Sequence, residues 1–142
     1  MTESTFLSGK VFKRSLPVVQ PPSSDNPPLK RLLLPQGELA QFYDADQPIR
    51  YLAYIELQAA SVRGNHYHKV KEEWIYLIQG AVLLLVEDIE SKAKASVALE
   101  AGDIAFILPG IAHALQTVQP GHAIEFSQAR FDLADIHRFA LA

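Results

Sequence analysis

From Leu29 onward the chain is a succession of short apolar runs broken by turn residues. None of the intervals could hold the connecting helices of a parallel βαβ unit. Lys30 to Leu34 reads as a strand closed by Pro35-Gln36-Gly37, and Glu38 to Tyr43 as the next. Asp44-Ala45-Asp46-Gln47-Pro48 is a loop, and Ile49 to Gln58 a third strand. Residues 65–68, 72–79, 81–88, 94–99, 103–108, 113–118 and 121–128 continue the series, with Gly80 read as a turn. Many short strands at fairly regular spacing predict an all-β sandwich or barrel. Val82 to Val86 and Ile104 to Leu108 are apolar at every position. A strand with one wet face alternates, so these two must be covered on both sides, by a second sheet, by the N-terminal segment or by another subunit.

The first 28 residues differ in texture. Five of the nine prolines lie there, at 17, 21, 22, 27 and 28. Proline fixes φ and removes a backbone donor, so residues 1–28 are expected to form an extended arm outside a barrel spanning 29–142. Beside the plain reading of a floppy terminus, Phe6, Leu7, Val11, Phe12, Val18 and Val19 are too apolar for a purely solvated tail, which points to an arm packed on a neighbouring subunit and to a homodimer. Asp132 to Phe139 is expected to be a short terminal helix, with Asp132 at the N-cap and Leu133, Ile136 and Phe139 at i, i+3 spacing.

Composition narrows the function classes. The net charge is −3, which gives no basic excess for a phosphate backbone, so nucleic acid is not an expected partner. There is no cysteine, which excludes disulfides and thiolate metal sites. The apolar run Ala81 to Val86 is too short to span a bilayer, and the start Met1-Thr2-Glu3-Ser4-Thr5 lacks the regions of a signal peptide. A soluble, cytoplasmic protein is the expectation.

The chemistry concentrates in Arg63-Gly64-Asn65-His66-Tyr67-His68 and the residues up to Gly80. His66 and His68 are two apart, so on an extended strand both imidazoles face the same way. Glu73 follows five residues later, and His113 stands just beyond Pro109-Gly110. Three imidazoles and a carboxylate are borderline-to-hard donors that suit one divalent transition metal: Zn, Fe, Mn, Ni, Co or Cu. With neutral histidines, the carboxylate and a dication sum to +1, which favours an anionic or oxygen-rich small molecule such as a sugar.

His-x-His, four residues, Glu, six residues, Gly resembles the first motif of the cupin superfamily. Gly102 with Pro109-Gly110-Ile111-Ala112-His113 resembles the second. The resemblance covers roughly residues 50–128. It implies a double-stranded β-helix, or jelly-roll barrel, with His66, His68, Glu73 and His113 as metal ligands. The wording Arg-Gly-Asn-His-Tyr-His-Lys is similar to the cupin domains of capsular-polysaccharide-assembling sugar-nucleotide enzymes, and more distantly to dTDP-keto-sugar isomerases. Members of the latter group keep the geometry and use histidine as a base without a metal; they generally lack a carboxylate where this chain has Glu73. Three departures stand out. The usual first-motif glycine is Ala60, the second-motif proline comes one place nearer the histidine, and the usual terminal asparagine position is Thr117.

Arg63, by the same resemblance, is a candidate for a substrate phosphate, against the plainer reading of a surface charge at a strand end. Tyr54, Glu56 and Gln58 share a face and could line the mouth, although a core tyrosine with a satisfied hydroxyl competes for Tyr54. Glu72 is expected to face solvent, since Glu73 takes the inward slot. Trp74 and Tyr76 are expected to pack between sheets or subunits. His122 and His137 have no partners at ligand spacing. Three functions fit: a keto-sugar or sugar-nucleotide epimerase or isomerase, an Fe(II)-dependent dioxygenase, or a non-catalytic sugar- or metabolite-binding module.

Overall fold

A computed structural model describes residues 2–142. It is built from strands throughout, with one three-residue 3-10 turn as the only helical element among the described residues. The chain order is β1 (Thr2–Phe6), β2 (Val11–Ser15), β3 (Val18–Val19), β4 (Lys30–Leu34), β5 (Gly37–Gln41), β6 (Tyr51–Leu57) and β7 (Val62–Tyr67). Then come β8 (Glu73–Asp88), β9 (Lys94–Glu100), β10 (Asp103–Ile107), β11 (Ile111–Ser127), the turn Leu133–Asp135 and β12 (His137–Arg138).

Two long strands define the barrel. β8 has 16 residues and β11 has 17, and each bends so that its halves belong to different layers. The first half of β8 pairs with β10 and with the second half of β11, which in turn pairs with β6. The second half of β8 pairs with β9 and with the first half of β11, which pairs with β7. The result is two antiparallel layers that share their central strands, with the side chains between them forming the core.

The sequence reading placed a turn at Gly80 and separate strands on either side of it. The strand is instead continuous through Gly80, from Glu73 to Asp88. The bend is made by residues 117–123 of β11, where the register against β8 slips three times. At the crossing, a Cβ on Gly121 would lie 1.7 Å from the carbonyl oxygen of Gln79, so only glycine lets the two strands pass this closely. A glycine bounded by apolar runs reads as a turn from sequence, while its role here is a barrel corner.

The inner core holds Ile55, Leu57, Ile75, Leu77, Leu84, Leu99, Ile107 and Ile111, with Val11 from β2 fully enclosed among them. Residues 2–15 are therefore not an extended arm. They form a hairpin, β1 with β2, and β2 pairs with β10 from Asp103↔Ser15 to Ile107↔Val11. Every proline in the first 28 residues lies at position 17 or beyond, so nothing forbids ladder hydrogen bonds before it.

A second, smaller sheet of β3, β4 and β5 lies on the outer face of the first layer. Between the two sit Leu16, Tyr76, Ile104 and Phe126, packed against Leu29, Ala40, Phe42, Tyr43 and Trp74. Phe42 stacks on Tyr76 at 4.1 Å, and Trp74 stacks on Phe126 at 5.7 Å. Aromatic pairs of this kind contribute roughly 0.5–1.5 kcal/mol each beyond the area they bury. This explains how Ile104 to Leu108 can be apolar on both faces: the chain covers its own outer surface there. Trp74 and Tyr76 pack between sheets, as expected of their outward direction.

The expected terminal helix is shorter than its pattern suggests. Asp132 does cap, accepting from the Ala134 N–H at 3.0 Å, but the turn stops at Asp135. The chain then extends as β12 and pairs with the end of β7, His137 opposite Tyr67 and Arg138 opposite His66. Among the described residues no helix is long and apolar enough to cross a membrane.

Candidate functional site

His66 lies near the end of β7 and His68 one residue past it, so their rings share a face with centroids 4.9 Å apart. His113 lies on β11 directly opposite His66 in the ladder, and Glu73 opens β8. The four side chains therefore meet between the two layers at one end of the barrel. One donor atom from each of His66, His68, Glu73 and His113 falls within 4.8 Å of the others. His68, Glu73 and His113 are almost wholly enclosed, and His66 is half-buried.

Glu73 is the hub of the cluster. His68 Nε2 lies 3.1 Å from its Oε1, and His113 Nε2 lies 3.0 Å from its Oε2. The far nitrogens of both rings are occupied by the main chain: His68 Nδ1 donates to the Asp135 carbonyl at 2.8 Å and His113 Nδ1 to the Ile111 carbonyl at 3.1 Å. A carbonyl only accepts, so each Nδ1 carries a hydrogen. In the neutral ring each Nε2 then presents a lone pair toward a carboxylate. Two lone pairs facing a carboxylate repel unless a cation, either protons or a metal, lies between them. His113 Nε2 is buried with no hydrogen-bond partner. That orphaned atom, together with two rings oriented by backbone carbonyls, is the arrangement in which imidazoles ligate a metal. The donor set fits a divalent transition metal.

The electrostatics follow from burial and mutual charge. Burial pushes the Glu73 carboxyl up, but the charge of His113 beside it, with His68 and Lys71, holds it well below the usual carboxylate range. Burial pushes His113 down, and the Glu73 carboxylate beside it more than reverses this, leaving it raised. His66 is lowered to about 4, by burial first and then by the neighbouring His113. It is neutral at ordinary pH.

Two residues absent from the sequence expectations complete the site. Glu125 points inward from β11 and lines the same cavity as His66, Glu73 and His113. Burial, followed by the negative charge of Glu73, raises its carboxyl to about 7. Lys71 is buried between the two carboxylates, 3.6 Å from Glu73 and 3.5 Å from Glu125, with its ammonium 3.9 Å from the centre of the Tyr51 ring. The alternation of β11 carried a signal: Ala123, Glu125 and Ser127 fall on one face and Ile124 and Phe126 on the other, so a carboxylate occupies an inward slot.

The cavity has a volume of about 230 Å³ and opens past Tyr54 and Arg63. Arg63 is exposed at its rim, and one guanidinium nitrogen donates to the Glu56 carbonyl at 3.3 Å. Tyr54 is not a core tyrosine. It is 59% exposed, because β6 turns Tyr51, Ala53, Ile55 and Leu57 inward and Tyr54 outward, and its hydroxyl meets His122 Nδ1. His137 packs on Tyr67, away from the cluster.

Glu72 does not face solvent. Its carboxylate accepts from Trp74 Nε1 at 3.0 Å, from the Gln128 N–H at 3.0 Å, from the Ala129 N–H at 3.3 Å and from the Ser127 hydroxyl. The outward slot beside Glu73 opens onto the end of β11, where unpaired amide groups need an acceptor.

No family model and no curated protein sequence matches the chain. Solved structures do. A 3'-monoepimerase from Streptomyces bikiniensis, in complex with dTDP-quinovose, matches with a TM-score of 0.75 at 14% identity, over 95% of this chain and 72% of that one. The rmlC epimerase of Mycobacterium tuberculosis matches with a TM-score of 0.75 at 13% identity, over 97% and 72%. A 3,4-ketoisomerase from Helicobacter canadensis matches with a TM-score of 0.68 at 16% identity, over 78% and 86%. The fold shared with these structures is the cupin jelly roll, the architecture that the two histidine-bearing motifs had implied.

Proposed function

We propose that this chain is a keto-sugar or sugar-nucleotide epimerase or isomerase whose centre, His66, His68, Glu73 and His113, holds one divalent transition metal. The observation that carries the metal is the pair of imidazoles with Nδ1 tied to backbone carbonyls and Nε2 turned on one carboxylate. The sugar reading is supported by the structural neighbours, among them ketoisomerases and epimerases of nucleotide sugars. A bound dication would act as a Lewis acid on a ligand's carbonyl and acidify the adjacent carbon.

The rest of the site suits that chemistry. Arg63 at the rim presents a cation to an anionic arm of the ligand, such as a diphosphate. Glu125, on the cavity wall and carrying a proton near neutral pH, is placed to take or return a proton beside the carbonyl. Lys71 holds that carboxyl in the wall. Ile55 and Leu115 close the remaining sides and thin out competing water.

One observation favours a second reading, in which no metal is needed. Glu73 can pair with a protonated His113, while His66, held neutral and lining the cavity, acts as the base.

The test is metal analysis of protein purified without added metal, followed by incubation with dTDP-4-keto-6-deoxyglucose in deuterium oxide. Deuterium entering the sugar ring only in metal-loaded protein, and lost in His66→Ala, supports the first reading. Exchange that survives a chelator selects the second. No exchange at any metal loading overturns both.

A further inference from the structure

We propose that Asp135 is the positioning residue of the four-residue centre: it fixes His68 as a donor and sets the path of the loop that delivers Glu73. The inference rests on the metal reading above and deepens it.

Two parts of Asp135 act on two parts of the site. Its main-chain carbonyl takes the His68 Nδ1 hydrogen at 2.8 Å, which leaves Nε2 as the inward lone pair. Its carboxylate takes three successive amide hydrogens: Lys69 at 2.7 Å, Val70 at 3.1 Å and Lys71 at 3.1 Å. Those three residues, with Glu72, are the whole connection between His68 and Glu73. The residue is 8% exposed, and His137 Nε2 lies 3.6 Å from its carboxylate.

The geometry requires such a clamp. Residues 69–72 carry no ladder hydrogen bonds, because the last main-chain pairing is the Gly110 N–H on the His68 carbonyl and β8 starts at Glu73. Three parallel N–H groups converging on one carboxylate form a closed anion nest, and this replaces the missing ladder. The clamp is itself anchored. Just beyond it, β12 pairs with β7 at the level of Tyr67 and His66. Asn65 then grips the end of the chain, its side-chain oxygen accepting from the Leu141 and Ala142 N–H groups at 2.8 and 3.0 Å. The carbonyl of Asn65 takes the Phe139 N–H at 2.9 Å. Segment 132–142 thus works as a strap across the back of the ligand strand, and Asp135 is the point at which it touches the centre.

Outer partners of metal-bound histidines typically carry 10- to 100-fold in metal affinity. The experiment is a calorimetric titration of the full chain with Zn²⁺ alone, under chelator competition. It compares wild type, Asp135→Asn, Asp135→Ala and a distant core variant, Leu99→Ala. The asparagine variant keeps the volume and one acceptor oxygen, so it folds even if the alanine variant does not, but it loosens the hold on the 69–71 amides and with it the placement of the Asp135 carbonyl on His68. The expected result is a Zn²⁺ affinity weakened roughly 10- to 100-fold in Asp135→Asn. Leu99→Ala, with an equal or larger fall in Tm, should stay within a few-fold of wild type. A second measurement needs no metal: the ¹⁵N shifts of the His68 ring should report Nδ1–H in wild type and a tautomer mixture in Asp135→Asn. Unchanged affinity with unchanged ring shifts overturns the proposal. If wild type takes no Zn²⁺, the metal reading falls, and the His68 spectrum decides the positioning claim by itself.

Discussion

Residue 64 is pressed against the main chain of His113: a Cβ at Gly64 would stand 2.7 Å from the His113 carbonyl oxygen. The contact arises from a bulge. His113 pairs with His66, yet Ala114 pairs with Gly64, so Asn65 is the extra residue on β7. Gly64 at φ +92° and Asn65 at φ +55° carry the distortion. The bulge sends the Asn65 side chain outward to the C-terminal strap and keeps His66 directed at His113. Gly64→Ala should lose about 2 kcal/mol from its left-handed backbone and the clash together. It should also weaken Zn²⁺ binding by moving the two imidazoles apart. Urea denaturation and a metal titration check both effects, and wild-type stability in this variant would contradict the geometry.

Ala60 is the residue that stands where the related motif has glycine, and the backbone shows why glycine is usual there. Ala60 has φ +58°, in the turn that closes with the Ser61 N–H on the Gln58 carbonyl at 3.2 Å. An L residue with a Cβ costs about 1–2 kcal/mol in this region. Glycine removes that strain and adds some freedom to the unfolded chain, which offsets part of the gain. Ala60→Gly should therefore stabilise the protein by about 0.5–1 kcal/mol, read as a higher urea midpoint at an unchanged slope. A lower midpoint would show the turn to be unstrained.

The barrel and its four converging side chains were legible because they rest on local rules. Strand periodicity put His66 and His68 on one face, and the Pro109-Gly110 turn returned the chain before His113. What was not legible depends on partners distant in sequence. The β1–β2 hairpin was hidden by the prolines that follow it, although Val11 and Phe12 were already too apolar for a solvated tail. Lys71 and Glu125 are 54 residues apart, and nothing in either local stretch announces that they face one another. Glu72 misled because the alternation rule says only which side a residue faces, not whether that side meets water.

Glu72 therefore offers a test of its own. Its carboxylate gathers the Trp74 indole, the Ser127 hydroxyl and the amides of Gln128 and Ala129, binding the start of β8 to the end of β11. Removing it leaves several half-buried donors without an acceptor. Hydrogen bonds to a charged group contribute about 1.5–3 kcal/mol each, so Glu72→Ala should cost about 2–4 kcal/mol after partial rehydration. Trp74 is the only tryptophan, so its emission reports the change directly. A red shift in folded Glu72→Ala is expected, since the indole loses its partner and gains water. An unmoved spectrum and an unmoved midpoint would mean that the four contacts contribute nothing.

Glu125 makes a pH-dependent prediction with a definite sign. Burial and the nearby Glu73 charge raise its carboxyl to about 7 in the folded protein, from an ordinary value of 4.5. Between these two values the folded state binds the extra proton, so folding stability falls as pH rises. The favourable contribution is complete below pH 4.5 and is lost by about pH 7. Glu125→Gln cannot ionise and escapes this loss. In chelator-treated protein the variant should match wild type near pH 4 and exceed it increasingly toward pH 7, by on the order of 3 kcal/mol at the plateau. His66, lowered to about 4, runs the opposite way: its contribution is full above pH 6.5 and is lost as pH falls through the folded value. His66 is present in both proteins, so its slope cancels in the difference, which leaves Glu125 and its effect on Glu73 and His113. Denaturation midpoints for the two proteins across pH 4–8 supply the measurement. A difference that stays flat, or that favours wild type at pH 7, would show Glu125 ionised at no cost and remove it as a proton carrier in the cavity.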